Sequence, residues 1–289
     1  MKKNLPKVLN QPRVLVQICM ISLCLGILYY SAFKSLVTEW IDLPDFSHGF
    51  LIPFISLFFT WHRRDKLAEL GAFPANAGIT VLSFGLILFL LGNLASETFT
   101  SRISFLVVLV GITLFLLGWP FLKVLIFPIG FLIFMIPIPS ILMQKITFPM
   151  QLFASSMAEF SLKAMGIPVL REGNVIHLAS TSLEVAEACS GIRSLISLLA
   201  LGTVFAFFTK RHFWQRSLLI VSCFPIAIIV NAFRVSATGV LANYYGLSVA
   251  EGFFHGFSGY VLFILAFGLL LLLGFVLSAF EKRSRSSRV

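Results

Sequence analysis

Charge is what this sequence has least of. Only 12% of its 289 residues are Asp, Glu, Lys or Arg, against about 25% in soluble domains. With 58% hydrophobic residues and a mean hydropathy of +0.96, the composition excludes a soluble domain and implies an integral membrane protein. Acidic residues are scarcest, 12 against 22 basic, for a net charge of +10. In a soluble protein that excess would suggest nucleic acid. In a membrane protein basic residues gather on the cytoplasmic side, so no nucleic-acid partner is expected. Cysteine is sparse too. The four cysteines form no CxxC and no Cys/His ligand spacing, so neither a metal nor a cofactor is expected. No internal repeat is evident, and the inverted-repeat signature of many transporters is missing.

Apolar runs are what the chain has in plenty. A hydrocarbon core about 30 Å thick needs roughly 20 apolar residues. Runs at about 14–33, 48–61, 77–95, 103–119, 121–138, 191–209, 217–235 and 256–280 qualify or nearly qualify. The expected fold is therefore an all-α polytopic membrane protein of about eight transmembrane helices, forming one domain over 1–289. The basic start, MKKNLPKVLNQPR, leads into the first of these runs. No small-residue cleavage site follows, so a first membrane helix is expected there rather than a signal peptide.

Placing the amino terminus in the cytoplasm puts 15 of the 22 basic residues on that side. They are Lys2, Lys3, Lys7, Arg13, Arg63, Arg64, Lys66, Lys123, Lys210, Arg211, Arg216, Lys282, Arg283, Arg285 and Arg288. The bias orients the chain with both termini cytoplasmic and residues 281–289 as a short basic tail. One long loop, 139–190, then falls on the outer side. It opens with an amphipathic stretch suited to the membrane surface. Turn residues at Glu172-Gly173-Asn174 and Ala179-Ser180-Thr181 follow, and predict two short strands in a cap.

EVAEACSGIRSL, residues 184–195, closes that loop. Cys19, Cys24 and Cys223 lie in apolar runs, where cysteine behaves as a small hydrophobe. Cys189 has polar neighbours instead. A helix is expected to start at about Gly191, with Arg193 in its first turn. The helix dipole and a nearby guanidinium both favour a thiolate. NAFRVSATG at the outer end of the seventh run brings Asn231 and Arg234 to the same face, and the head of the eighth brings His255. Ionisable groups at such depths are costly and so are functional candidates. The trio suits a thiol enzyme. Cys189 would be the nucleophile, His255 the general base and then acid, and Arg234 the holder of the oxyanion or substrate carbonyl. Taken alone, His255 and Arg234 also fit interfacial side chains. Ser47 and His48, in PDFSHG, could line the same site or belong to a helix cap. Glu172, Glu184 and Glu187 could bind a basic substrate group, or pair with Arg171 and Arg193 at the surface.

EACSGIRSL, a following NAFR and a His at the head of the last run resemble the bacterial exosortases of the exosortase/archaeosortase family. PDFSHGFLIP, FLIFMIPIPS with a following PMQL, and GIPVLREGNVIHL extend the likeness over most of residues 40–275. The resemblance implies a multi-pass inner-membrane cysteine protease or transpeptidase with its site facing the periplasm. Its substrates would be exported proteins with a carboxy-terminal sorting signal, namely a Pro-Glu-Pro-like motif (PEP-CTERM), a membrane helix and a basic tail. Cleavage would run through a thioester on the cysteine, followed by transfer to an acceptor not identified by the sequence. Carried over by position, the family's triad falls on Cys189, Arg234 and His255; Ser190, Gly191, Arg193, Asn231, Ser47, His48 and Glu172 are candidates for support from their place in the sequence, not from the resemblance. Some exosortases carry a further carboxy-terminal domain, whereas here EKRSRSSRV follows the last run. The expected partners are the substrate, the acceptor and the lipid bilayer. A transporter, a non-catalytic scaffold of envelope assembly, and a purely hydrolytic protease stay open as other readings of the residues.

Overall fold

The computed structural model describes residues 12–179, 181–185, 192–209, 212–246 and 253–286. They form two compact units, divided between Pro139 and Ser140.

The first unit holds seven helices: α1 (Pro12–Leu28), α2 (Tyr30–Asp42), α3 (Leu51–His62), α4 (Arg64–Glu69), α5 (Ala77–Leu94), α6 (Thr98–Leu116) and α7 (Trp119–Phe131). Short 3₁₀ helices cover Pro44–Phe50 and Leu132–Met135. Its centre is the α5–α6 hairpin. Gly78, Gly85 and Gly92 recur every seventh residue on α5. A Cβ at any of them would run into α6, at Phe115, Val108 and Ser101 respectively. In lipid there is little hydrophobic drive between helices, so small residues that let backbones approach supply the packing. Glu97 starts α6 by accepting hydrogen bonds from the backbone N–H of Phe99 (3.0 Å) and Thr100 (2.6 Å). Burial opposes its charge, but these hydrogen bonds and the Arg102 guanidinium outweigh burial and hold its carboxyl below the usual carboxylate range.

A proline-made defect in α7 and the open end of the 3₁₀ helix that follows it are closed by side chains from α2 and the end of α3. Pro128 has no N–H for the carbonyl of Val124, and Arg63 Nη1 donates to that oxygen at 2.9 Å. The 3₁₀ helix after α7 ends at Met135, with Ile136 extended ahead of Pro137, and Trp40 Nε1 donates to the carbonyl of Met135 at 2.9 Å. Each orphaned carbonyl would cost several kcal/mol in hydrocarbon. Gly49 completes the second arrangement, because a Cβ there would strike the Trp40 indole.

Arg102 on α6 is 4% exposed. It grips Glu39 of α2 through both Nη atoms, at 2.7 and 2.6 Å, and Nη2 also reaches Ser35 Oγ at 3.1 Å. Removing one partner of a buried pair strands the other charge. Arg102→Met is therefore expected to cost about 3 kcal/mol, the low end for such a pair because Glu39 keeps some solvent contact. Thermal unfolding in mild detergent reads it, and the Glu39→Leu/Arg102→Met double variant is expected to be more stable than the single one.

The second unit holds α8 (Ser140–Ala164), β1 (Val169–Glu172), β2 (Val175–Leu178), β3 (Ser182–Glu184), α9 (Ile192–Thr209), α10 (Phe213–Tyr245) and α11 (Phe253–Ser286). The strands form one antiparallel sheet in the order β1-β2-β3, with Ile176 opposite Arg171 and Leu183. Its buried face, Ile176, Leu178 and Leu183, packs with Ala154, Ala158 and Leu162 of α8 and Val235 and Ala242 of α10. A second cluster joins Leu195 and Leu198 of α9, Ala227 and Val230 of α10, and Ala266 and Leu270 of α11.

The described residues bear out a polytopic helical fold, but not all eight expected spans. Among the described residues four helices are long and apolar enough to cross a membrane, or six if each of two bent pairs is one span. The run expected at 14–33 breaks between Leu28 and Tyr30, and the chain bends by 70°. Tyr29, fully buried at that break, hydrogen-bonds Ser104 and packs on Phe89 and Phe105. The second run starts as a 3₁₀ turn and leaves α3 only 12 residues, about 18 Å against a core of about 30 Å. The fifth loses its helix at the prolines of IPIP, with Ile136 already extended. A third strand, β3, joins the two expected in the cap.

Candidate functional site

Arg234 was expected near the end of its helix, yet α10 continues to Tyr245. Eighteen residues separate Arg216 from Arg234, and at 1.5 Å each that is about 27 Å, close to the hydrocarbon thickness. A span that starts beside Arg216 therefore reaches its far boundary at Arg234, and the last three turns of α10 extend beyond it. Val235 and Ala242 on those turns carry the sheet and α8. Arg234 is half-buried, and Asn231, one turn below, is 5% exposed.

Asn231 and Arg234 line a small cavity together with Ala227 and Val230 of α10 and Gly259, Leu262 and Ala266 of α11. Its volume is about 20 Å³, enough for a single water. His255 lies within α11, one helical turn before Gly259. Two of the three residues expected to act together thus sit on adjacent, packed helices, with Arg234 on the wall of a cavity that Gly259 also lines.

Cys189, Ser190 and Gly191 lie outside the described residues. Ala186, Glu187 and Ala188 lie outside them too, so Val185 and Ile192 are the nearest described residues on either side. The Val185 N–H donates to the carbonyl of Asn174 (2.9 Å), Asn174 Nδ2 donates back to the carbonyl of Val185 (3.3 Å), and Val185 is buried in the cluster that contains Val235. On the other side α9 begins at Ile192 and includes Arg193, and Leu195 lies in the cluster that contains Val230. The described residues that flank the cysteine segment thus belong to two core clusters, one of which includes Val235 and the other Val230 of α10.

Glu172 ends β1, 71% exposed at its side chain, with an oxygen 3.5 Å from His177 Nε2. Arg171 pairs with neither Glu172 nor Glu184. It donates from Nε to Glu159 of α8 at 2.9 Å, and Glu159 also takes Lys163 at 2.7 Å. This pairing locks the sheet onto α8. The Glu159–Lys163 spacing of four was its only sequence signal, and Glu159 went unremarked. Ser47 and His48 belong to the first unit, in the 3₁₀ helix Pro44–Phe50. The N-cap of α3 is Phe50, which makes no side-chain capping bond. Cys223 is buried, with its thiol facing the carbonyls of Leu198 and Leu219, as befits a small apolar residue. Cys19 and Cys24 are exposed on α1.

A family model described as transmembrane exosortase matches residues 40–272. No curated protein and no solved structure matches the chain.

Proposed function

The chain belongs to the transmembrane exosortase family, and from that premise we propose that it is a cysteine peptidase and transpeptidase of the inner membrane. Its substrates are exported proteins that end in a Pro-Glu-Pro-type motif, a membrane helix and a basic tail. The orientation follows the basic-residue bias, with both termini cytoplasmic and the site at the periplasmic face.

The observation that carries this reading is the placement of Arg234 on the cavity that Gly259 lines, with His255 one turn away on the same helix. Chain reach supports adding the cysteine. Three residues span at most about 11 Å, so Cys189 stays within that distance of the start of α9 at Ile192. Loop and helices then converge on one depth of α10.

In the proposed reaction the Cys189 thiolate attacks the scissile carbonyl, after His255 has taken the thiol proton. Arg234 donates to the oxyanion that forms, an interaction worth most where water is excluded. Collapse of the tetrahedral species breaks the C–N bond, and His255 returns the proton to the departing amine. A thioester is left on Cys189. An acceptor nucleophile attacks it, frees the thiol and takes the acyl group, and exclusion of water favours that transfer over hydrolysis. The substrate's own membrane helix brings its motif to the depth of Arg234, which turns an encounter between two molecules into a positioned one.

Co-expression with a tagged substrate tests the reaction class. Cleavage is expected for a substrate with the complete tail and not for one lacking the Pro-Glu-Pro-type motif, as read by gel mobility and mass of the new carboxyl end. Equal processing of both would overturn the substrate assignment. A mass above that of the free acid would reveal transfer.

A further inference from the structure

We propose that the groove between α2, α3, α6 and α7 binds one anionic phospholipid, with an acyl chain in the groove and the headgroup on a basic rim formed by Arg63, Arg64, Lys66 and Lys123. The groove measures about 510 Å³. Its walls include Leu36 of α2, Leu57 of α3, Phe105 and Leu109 of α6, and Ile129 and Leu132 at the end of α7.

The polar atoms along it already have partners. Ser56 Oγ donates to the carbonyl of Pro128 at 2.7 Å, Thr60 Oγ1 to that of Ser56 at 3.1 Å, and Trp40 Nε1 to that of Met135 at 2.9 Å. An occupant thus meets no hydrogen-bonding group in need of it, and a hydrocarbon chain meets that condition. A groove of about 510 Å³ is of the size that holds a ligand, and an acyl chain suits its apolar walls.

Charge selects the headgroup. Pro53, Ser56, Leu57 and Thr60 form one face of α3 along the groove, and Arg63 follows Thr60 by three residues. The bond from Arg63 to the carbonyl of Val124 brings the start of α7, with Lys123, against this end. Trp61 is exposed and Arg64 stacks on it at 5.0 Å, the pairing expected at a membrane interface. Lys66 and Lys123 are exposed and make no ion pair among the described residues. Asp65 and Glu69 share the segment, with Asp65 3.8 Å from Arg64. The four basic groups outnumber these two carboxylates, so the rim favours an anion.

The test uses the full chain in mild detergent with phosphatidylglycerol or phosphatidylcholine of identical acyl chains. Native mass spectrometry reads bound lipid and thermal unfolding reads stabilisation. One tightly held phosphatidylglycerol and a raised Tm are expected, with phosphatidylcholine at least about tenfold weaker. The surface double variant Lys66→Gln/Lys123→Gln is expected to keep its lipid-free Tm and lose that preference. Leu109→Trp, which fills the groove, is expected to lose the adduct for both lipids. Equal binding of the two lipids by the parent chain, or an unchanged preference in the double variant, would overturn the proposal.

Discussion

Cells that carry Cys189→Ala in place of the parent protein are expected to accumulate uncleaved substrate, with no mature product on a gel. The loss is expected to be complete on that scale. Without a nucleophile the remaining groups supply only the residual effect of oxyanion stabilisation and binding, about 10³–10⁴ over water in the well-studied triads, and peptide hydrolysis starts from an immeasurably slow rate. Cys189→Ser tests the role of the thiol more finely. A serine hydroxyl keeps the shape but is far harder to ionise, so the thiolate chemistry is lost and processing stays near the alanine level. Neither substitution touches the described core, so membrane insertion and Tm are expected to match the parent. Processing at the parent rate by either variant would remove Cys189 from the mechanism.

Arg234→Ala is expected to lower turnover by about 10²–10³, the effect of removing one oxyanion donor. The residue faces a cavity rather than the middle of a core cluster, so most of the effect is expected in kcat rather than in folding. Arg234→Lys keeps the charge but loses the planar guanidinium fork and is expected to recover only part of the rate. A purely structural role for Arg234 would show the opposite pattern: a lowered Tm, restored by lysine, with the turnover of folded enzyme unchanged. Purified variants reconstituted with a tail-bearing substrate separate the two through parallel turnover and unfolding measurements.

Local signals in the sequence account for part of the architecture. The apolar run at 77–95 became α5 almost residue for residue, because its ends are set by local features. The helix following it began earlier than its apolar run, at Thr98, because Glu97 caps it through backbone N–H groups. The break at Tyr29 was illegible, since no proline marks it and Gly26, a turn earlier, stays within α1. Its determinant is a hydrogen bond to Ser104, 75 residues away. The interruptions at Pro128 and IPIP were half-legible: proline predicts an interrupted ladder, but not that Arg63 and Trp40 would take the open carbonyls. Gly49, noticed only as part of PDFSHG, gives way to the Trp40 ring.

The candidate site divides in the same way. Residue chemistry singled out Arg234 and His255, and Gly259 joins their helices at one cavity. The helix end expected just after Arg234 was wrong, because α10 runs ten residues past the end of its apolar run. Those extra turns are amphipathic rather than apolar, and burial against α8 and the sheet makes them helical. The Arg171–Glu159 pair joins a strand to a helix and needed the fold to be seen.

The most direct measurement of the central claim is capture of the thioester. Membranes containing the enzyme and a tagged tail-bearing substrate would be treated with hydroxylamine, and the new carboxyl end of the product analysed by mass. The account predicts a hydroxamate on the parent enzyme's product and none with Cys189→Ala. A free carboxylate alone, formed at the same rate with and without hydroxylamine, would contradict it.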